Sequence, residues 1–395
     1  MERLQKAAGL SLRRVIGINS GTSADGLDIA LMEVRGHGWS SKLRCFRFRS
    51  VAYPDPLRRR LRTFLSSAAS GSAFRAEDWL AVDHLLGEAM GRAALSMKRW
   101  AEGSGRPSHL VASHGQTVWH GPRALGSRSA TLQLGNPSRI SVIAGLPVVA
   151  DFRQADVAAG GEGAPLTPAL DYLLFRNAPD DTVTLNLGGI ANISAVRARG
   201  APGDVLGFDV GPCNLLLDGL AASLLNAARD DRGRAALRGR PSRGVAERLL
   251  EDPFFRTPPP RSTGRERFGG AFLRDFARRA AAAGGPDDVL ATAVHFVAAS
   301  VAEALSRFVL GTYSPRRVIA AGGGLRNLAL RRELRRRLQG LGLDLEPFRA
   351  AGLTPDSKEA GLFAWLGSEA VCGEKAHLPQ ATGAGSAVRL GVLVP

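Results

Sequence analysis

Asp209-Val210-Gly211-Pro212 ends an apolar run on a carboxylate and follows it with a rigid Gly-Pro pair. A carboxylate fixed in this way suits a general base acting on a substrate hydroxyl or a water, and it equally suits an N-cap for the helix that begins near Pro212. Far earlier, Asn19-Ser20-Gly21-Thr22-Ser23-Ala24-Asp25-Gly26-Leu27-Asp28 gathers two glycines, small hydroxyls and two carboxylates into one turn. Such a turn lets backbone N–H groups face phosphate oxygens, the hydroxyls add donors, and a carboxylate such as Asp25 can hold Mg²⁺. A plain hairpin draws on the same residue types.

The motif Ile18-Asn19-Ser20-Gly21-Thr22 is echoed 167 residues later by Leu185-Asn186-Leu187-Gly188-Gly189, which suggests a duplicated architecture. A third turn, Gly322-Gly323-Gly324-Leu325-Arg326-Asn327, follows Val318-Ile319-Ala320-Ala321 and opens a helical stretch from Leu328 to Leu338, an arrangement that suits an anion. Three glycine turns after three strands describe a nucleotide gripped between two lobes. Three further residues have two readings each. His114 can bind a sugar hydroxyl or be a hydrogen-bonded structural histidine; Arg153, near Asp151, Asp156 and Glu162, can hold an anionic substrate group or a local salt bridge; Glu359 can orient substrate or serve as a first-turn helix acid.

The elements that carry these residues alternate between strand and helix, which argues for an α/β class. Strands are expected at Val15–Ser20, in the run after Gly26, at Leu43–Val51 and at Leu110–Ser113, with helices near Pro56–Ser67 and Glu77–Ala101. Pro147 to Asp156 reads as a strand delivering polar groups at its C-terminal end, and Thr167–Phe175 as a helix. Asp230 to Arg243 reads as a mobile polar loop and Pro258 to Glu266 as a stiff surface segment, with helices following at Gly270–Ala283, Asp287–Leu310 and Asp356–Val371.

Composition narrows the class. With 45% hydrophobic and 22% charged residues the chain reads as a globular enzyme of two domains, and no uninterrupted apolar run reaches the ~18 residues of a membrane span. Cys45, Cys213 and Cys372 are too scattered for a disulfide framework or a zinc site, and Met1 to Arg14 lacks a secretory pattern, so a cytoplasmic location is expected. The net charge of +16 (52 basic against 36 acidic residues) is carried mostly by arginine, 47 to 5 lysines, spread along the chain, and nucleic acid is not expected as a partner. Even the dense run Arg331–Arg337 reads as the solvated face of a helix, with Leu330, Leu334 and Leu338 turned inward. There is no Gly-x-x-x-x-Gly-Lys loop, no Gly-x-Ser-x-Gly elbow and no protein-kinase motif set.

The ordered motifs resemble those of the anhydro-N-acetylmuramic acid kinases. The resemblance rests on Ser20–Gly26, Ser113–Thr117, Leu132–Gly135, Ala150–Arg153, Gly163–Leu166, Asn186–Asn192, Asp209–Pro212, Ser262–Arg265, Gly322–Gly324, Lys358–Ala360 and Thr382–Ala384, and spans Val15 to Pro395. It implies a two-lobed fold like that of sugar kinases, actin and Hsp70, with duplicated ribonuclease-H-like domains and an active-site cleft between the lobes, usually as a homodimer. The first lobe would comprise residues 1–135 plus about 375–395, the second 136–374. The implied reaction opens 1,6-anhydro-N-acetylmuramic acid with water and phosphorylates O6 from ATP, with Mg²⁺, in murein recycling. Asp209 matches the family's catalytic base, Arg153 and Glu359 its sugar contacts, Gly21 to Asp28 its ATP segment, and Gly188, Gly189, Gly323 and Gly324 the remaining nucleotide grip. Asn19 stands where the family usually has methionine, Val210 where it has a threonine, which would remove a hydroxyl from the site, and Cys213 where it has a small residue. A same-fold kinase for another amino sugar and a non-catalytic sugar-binding regulator are the alternatives.

Overall fold

The computed structural model describes residues 2–21, 24–70, 75–125, 128–282 and 284–395. In chain order its strands are β1 (Leu12–Ser20), β2 (Gly26–Arg35), β3 (Lys42–Ala52), β4 (Leu110–Leu125), β5 (Arg128–Leu134), β6 (Val148–Ala150), β7 (Thr182–Leu187), β8 (Ile190–Val196), β9 (Leu206–Pro212), β10 (Arg317–Ala321), β11 (Asp344–Pro347) and β12 (Val392–Val394). They divide between two compact units, one formed by Met1–Leu174 with Arg349–Pro395 and the other by Phe175–Phe348.

Unit 1 carries a mixed sheet of order β12-β6-β4-β1-β2-β3, with β5 paired to β4. β1, β2 and β3 form an antiparallel meander, and β4 and β6 run parallel to β1. Unit 2 repeats the scheme. Its sheet runs β11-β10-β7-β8-β9, with an antiparallel meander β7-β8-β9 and parallel β10 and β11. The repeat of strand order and direction is the duplicated ribonuclease-H-like architecture, and it sets the turns after β1 and β7 at equivalent places.

Alternation along β1 explains the packing of unit 1. Ile16 and Ile18 join a core with Leu86, Met90, Met97 and Ile140, supplied by the helices Ala76–Gly103 and Pro137–Ala144. On the other face the helix Lys358–Val371 lies against β1 so closely that a Cβ at Gly17 would fall 1.9 Å from the Ala360 carbonyl oxygen. Only glycine permits that approach, which delivers the first turn of the helix to the end of β1. In unit 2 the helix Pro286–Phe308 is the centre of the core, packed by the helices Asn214–Leu225, Arg234–Arg238, Arg243–Leu250 and Leu328–Gln339. By length and composition alone this helix would also cross a membrane, with mean hydropathy 1.6, but 83% of that window is buried within the protein.

Several expectations need correction. The division falls at 174/175 and 348/349 rather than at 135/136 and near 374/375, because β6 hydrogen-bonds to β4 and the helix Lys358–Val371 packs on β1, β2 and β4. β4 does not stop at Ser113; it continues through the His114–His120 motif to pair with β5. Residues expected as a mobile loop form the helix Arg234–Arg238, whose Ala235 and Ala236 are buried and whose N–H groups donate to the Asp230 carboxylate. Within the expected surface segment Pro258–Glu266, Arg261 and Thr263 are only 4% and 5% exposed. The arginine-rich helix Leu328–Gln339 does turn Leu330, Leu334 and Leu338 inward, while Arg336 and Arg337 pair with Glu333.

Candidate functional site

In unit 1 the β1–β2 turn is held from beneath by a hydroxyl cluster. Ser20 Oγ lies 2.8 Å from the Tyr53 hydroxyl and 2.6 Å from Gln116 Oε1, and the Gln116 amide donates to the Gly21 carbonyl. Thr22 and Ser23 lie outside the described residues. Ala24 adopts a left-handed φ of 53°. Ala24 and Leu27 turn their side chains into the core at 1% and 2% exposure, so only their backbone is available to a ligand, whereas Asp25 is exposed.

Gly17 allows Glu359 to reach this turn. Asn19, opposite Asp28 in the β1–β2 register, donates a 2.6 Å hydrogen bond to Glu359 Oε2. The polar residue at position 19 therefore grips the carboxylate expected to contact sugar. Asp28 is pushed up to about 6, chiefly by burial, with Glu359, Asp356 and Asp25 adding repulsion and a hydrogen bond from Ser50 opposing it. A carboxyl with a raised folded-state value binds its proton more tightly when folded. Its stabilising contribution is therefore full below about pH 4 and lost as pH rises through 6. Asp28→Asn is expected to raise the melting temperature at pH 8 by a few degrees and leave it near the wild-type value at pH 4. Equal shifts at both pH values would contradict this origin.

Arg153 is placed by its neighbours. Its Nε donates to His114 Nε2 at 2.8 Å and its Nη1 to the Gly163 carbonyl at 2.6 Å. His114 is buried and neutral: Nε2 accepts from Arg153, Nδ1–H donates to the Gly115 carbonyl, and the ring stacks on Phe363. Burial, then the Arg153 charge, holds the imidazole well below its usual range. Both ring nitrogens of His114 are thus engaged within unit 1, one by Arg153 and the other by the Gly115 carbonyl. The Gly160–Pro165 connector is fixed in turn by Asp156, which accepts from His377 at 2.6 Å and from the Gly163 N–H at 2.6 Å.

In unit 2 the two remaining glycine turns meet. The Gly188 and Gly189 carbonyls accept from the N–H groups of Asn214 and Cys213 at 3.0 and 2.9 Å. A Cβ at Gly322, which has φ +91°, would sit 2.7 Å from Asn186 Oδ1 and the Leu187 backbone, and one at Gly324 would meet the Leu187 side chain at 2.8 Å. Gly323 faces the Asn214 amide. The helix Leu328–Gln339 begins only after a 3₁₀ turn and is capped by Asn327, whose side chain accepts from the Leu330 N–H at 3.0 Å.

Asp209 sits on β9 at 5% exposure, and its Oδ2 accepts from the Thr263 N–H at 3.0 Å. It does not cap the helix Asn214–Leu225, whose N-cap position is Cys213. The next residue, Val210, points to the opposite face of β9 into the unit 2 core, where Cys213, just past the strand, is also buried. The expected loss of a hydroxyl from the site therefore does not occur: position 210 faces away from the Asp209 carboxylate. Val210→Thr is expected to cost about 1–3 kcal/mol of stability by burying a hydroxyl, with no gain in rate. Faster turnover in that variant, measured per folded molecule, would overturn this placement. Thr263 enters the sequence reading only within the Ser262–Arg265 motif and Arg261 not at all, since Pro258-Pro259-Pro260 signals only a stiff surface run and the burial of an arginine after it has no local signature.

A family model described as anhydro-N-acetylmuramic acid kinase matches residues 13–395. Relatives bearing that name include proteins from Salinibacter ruber, 40% identical over 97% of this chain and 96% of its own length, and from Gloeobacter violaceus, 40% identical over 96% and 98%. A third, from Caldanaerobacter subterraneus, is 34% identical over 99% of each chain. Among solved structures, a ROK family glucokinase from Streptomyces griseus in complex with glucose and AMPPNP aligns with 90% of this chain and 99% of its own at a TM-score of 0.35 and 16% identity, a likeness too slight to carry argument. The full-length family match, together with the duplicated sheets and the motifs they carry, shows that this chain belongs to the anhydro-N-acetylmuramic acid kinase family.

Proposed function

We propose that this chain uses water and ATP to open the 1,6-anhydro ring of 1,6-anhydro-N-acetylmuramic acid and to phosphorylate O6, giving N-acetylmuramic acid 6-phosphate and ADP in the recycling of cell-wall sugars. The observation that carries the reading is Asp209, a buried carboxylate whose orientation is fixed by the Thr263 N–H in a chain that matches the family throughout. Asp209 takes a proton from the water that attacks the anomeric carbon, the C1–O6 bond breaks, and O6 accepts the terminal phosphoryl group. Arg153, braced by His114, and Glu359, gripped by Asn19, hold the sugar.

The nucleotide is held by backbone groups of Gly188, Gly189, Gly323 and Gly324 and by the span Gly21 to Asp28. The close packing of the two turns supports this, because a Cβ at Gly322 or Gly324 would meet Asn186 or Leu187 and drive these backbone groups apart. Among the described residues no group of three or more His, Cys, Asp or Glu is arranged to hold a metal. Asp25 and Asp28 still offer hard oxygen ligands, which fits Mg²⁺ retaining water and phosphate oxygens as most of its shell, with Asp25 the exposed member. When bound, Mg²⁺ supplies neutralisation of phosphate charge.

A cytoplasmic homodimer belongs to the same proposal. It is supported by the family resemblance. The direct test is incubation of the purified chain with Mg²⁺, ATP and the anhydro sugar. One ADP per sugar phosphate is expected; ATP turnover only with another amino sugar would favour the alternative kinase, and no turnover with either would overturn the enzymatic reading.

A further inference from the structure

Asp209 is gripped from three directions by one short segment. Its N–H donates to the Arg261 carbonyl at 3.1 Å, its Oδ2 accepts from the Thr263 N–H at 3.0 Å, and its own carbonyl accepts from Arg261 Nε at 2.9 Å. The remaining reach of Arg261 goes elsewhere. Nη1 donates to the carbonyls of Phe254 and Thr257, at 2.8 and 2.7 Å, at the short helix Pro253–Arg256. The guanidinium is also enclosed by the rings of Phe208, Phe254 and Phe308, each within 4.8–5.2 Å of the Cζ atom.

An arginine buried this deeply costs desolvation, yet the bonds described here are all to carbonyl oxygens rather than to a carboxylate. A fold that needed only bulk at this position would be served by a hydrophobic side chain among three phenylalanines. What the planar fork adds is a fixed distance between two pieces of backbone, the Asp209 peptide on β9 and the turn after Phe254.

We propose that Arg261 is a positioning residue for Asp209, its guanidinium locking the peptide of the base to the Phe254–Thr257 turn and thereby setting where the Asp209 carboxylate points. The proposal rests on the reading of Asp209 as the base. Arg261 does not touch substrate in this scheme, so its removal acts on turnover and not on binding. Misplacement of a reacting group by about 1 Å costs about 100-fold in rate, which sets the scale of the effect.

The test compares Arg261→Met, Arg261→Lys and Asp209→Asn in the full chain, with kcat and both KM values measured per folded molecule. Arg261→Met is expected to lower kcat about 100-fold with both KM values unchanged. Arg261→Lys keeps the charge but puts all its donors on one nitrogen, losing the rigid fork that spans from the Asp209 carbonyl to those of Phe254 and Thr257, so it is expected to recover part of the lost rate. A folded Arg261→Met protein with wild-type kcat would overturn the proposal. Should that variant fail to fold, Arg261→Lys decides: reduced kcat at unchanged KM supports positioning, and wild-type kcat overturns it. Asp209→Asn with undiminished turnover would instead remove the base assignment, and this proposal with it.

Discussion

Asp209→Asn is expected to lower kcat by about 10²–10⁴-fold while leaving both KM values and the fold intact. The argument is geometric. Asparagine is nearly isosteric, and its Oδ1 can take the Thr263 N–H bond that Asp209 Oδ2 accepts, while the backbone bonds to Arg261 are untouched. Arg261 keeps its bonds to the Asp209, Phe254 and Thr257 carbonyls but loses the neighbouring Asp209 charge that favours its cation, so some loss of stability accompanies the substitution. What disappears is the ability to accept a proton. Circular dichroism should match the wild type, the melting temperature should fall by a few degrees, and steady-state kinetics per folded molecule should show the loss in kcat alone. A large rise in the KM for sugar with little change in kcat would mean that Asp209 binds substrate and that another group takes the proton.

The largest effect on stability is expected at Lys358. Its ammonium lies 2.6 Å from Asp171 Oδ1, with side chains 2% and 1% exposed, and the pair ties the first turn of the helix Lys358–Val371 to the helix Thr167–Phe175. Removing one partner leaves an uncompensated charge in the interior, which costs about 3–5 kcal/mol. Lys358→Met should therefore lower unfolding stability by that amount in denaturant titrations. Adding Asp171→Leu should recover most of it, because two apolar groups of similar volume are often no worse than a buried ion pair. Loss in the double variant as large as in the single one would show that packing, not charge, dominates the site. Because Glu359 follows directly, the single variant should also raise the KM for sugar.

Much of the fold was legible because it is written in local patterns. The strand–turn–strand units around Gly21 and Gly188 announced themselves by apolar runs on both sides of small residues, and the helix carrying Leu330, Leu334 and Leu338 by its spacing. The domain boundary was not legible. Whether β6 and the helix Lys358–Val371 belong with the first unit depends on pairing to β4 and packing on β1, which are long-range contacts with no local signature. For the same reason Val210 looked like a site residue. Its neighbour Asp209 faces the Thr263 N–H, and the period of two along a strand sends Val210 to the core, but the direction of that alternation is fixed only by the fold.

The candidate site divides along the same line. Asp209, Arg153 and Glu359 could be singled out because their residue types and positions suit chemistry. Their partners could not be read: Asn19 and His114 stand out by type and Thr263 by its motif, but the hydrogen bonds they make reach residues far away in sequence, from 39 positions for His114 and Arg153 to 340 for Asn19 and Glu359, and Arg261 carries no local signal at all. A stiff proline run gave no sign that the residues after it would be buried against β9.

The most direct measurement is mass spectrometry of the sugar product formed in ¹⁸O-labelled water by the wild-type chain and by Asp209→Asn. If Asp209 activates water at the anomeric carbon, the wild-type product is a sugar 6-phosphate carrying one ¹⁸O on C1, and the variant forms almost none in the same time. A product without the label, or labelled product formed as fast by Asp209→Asn, would contradict the assignment of Asp209 as the base.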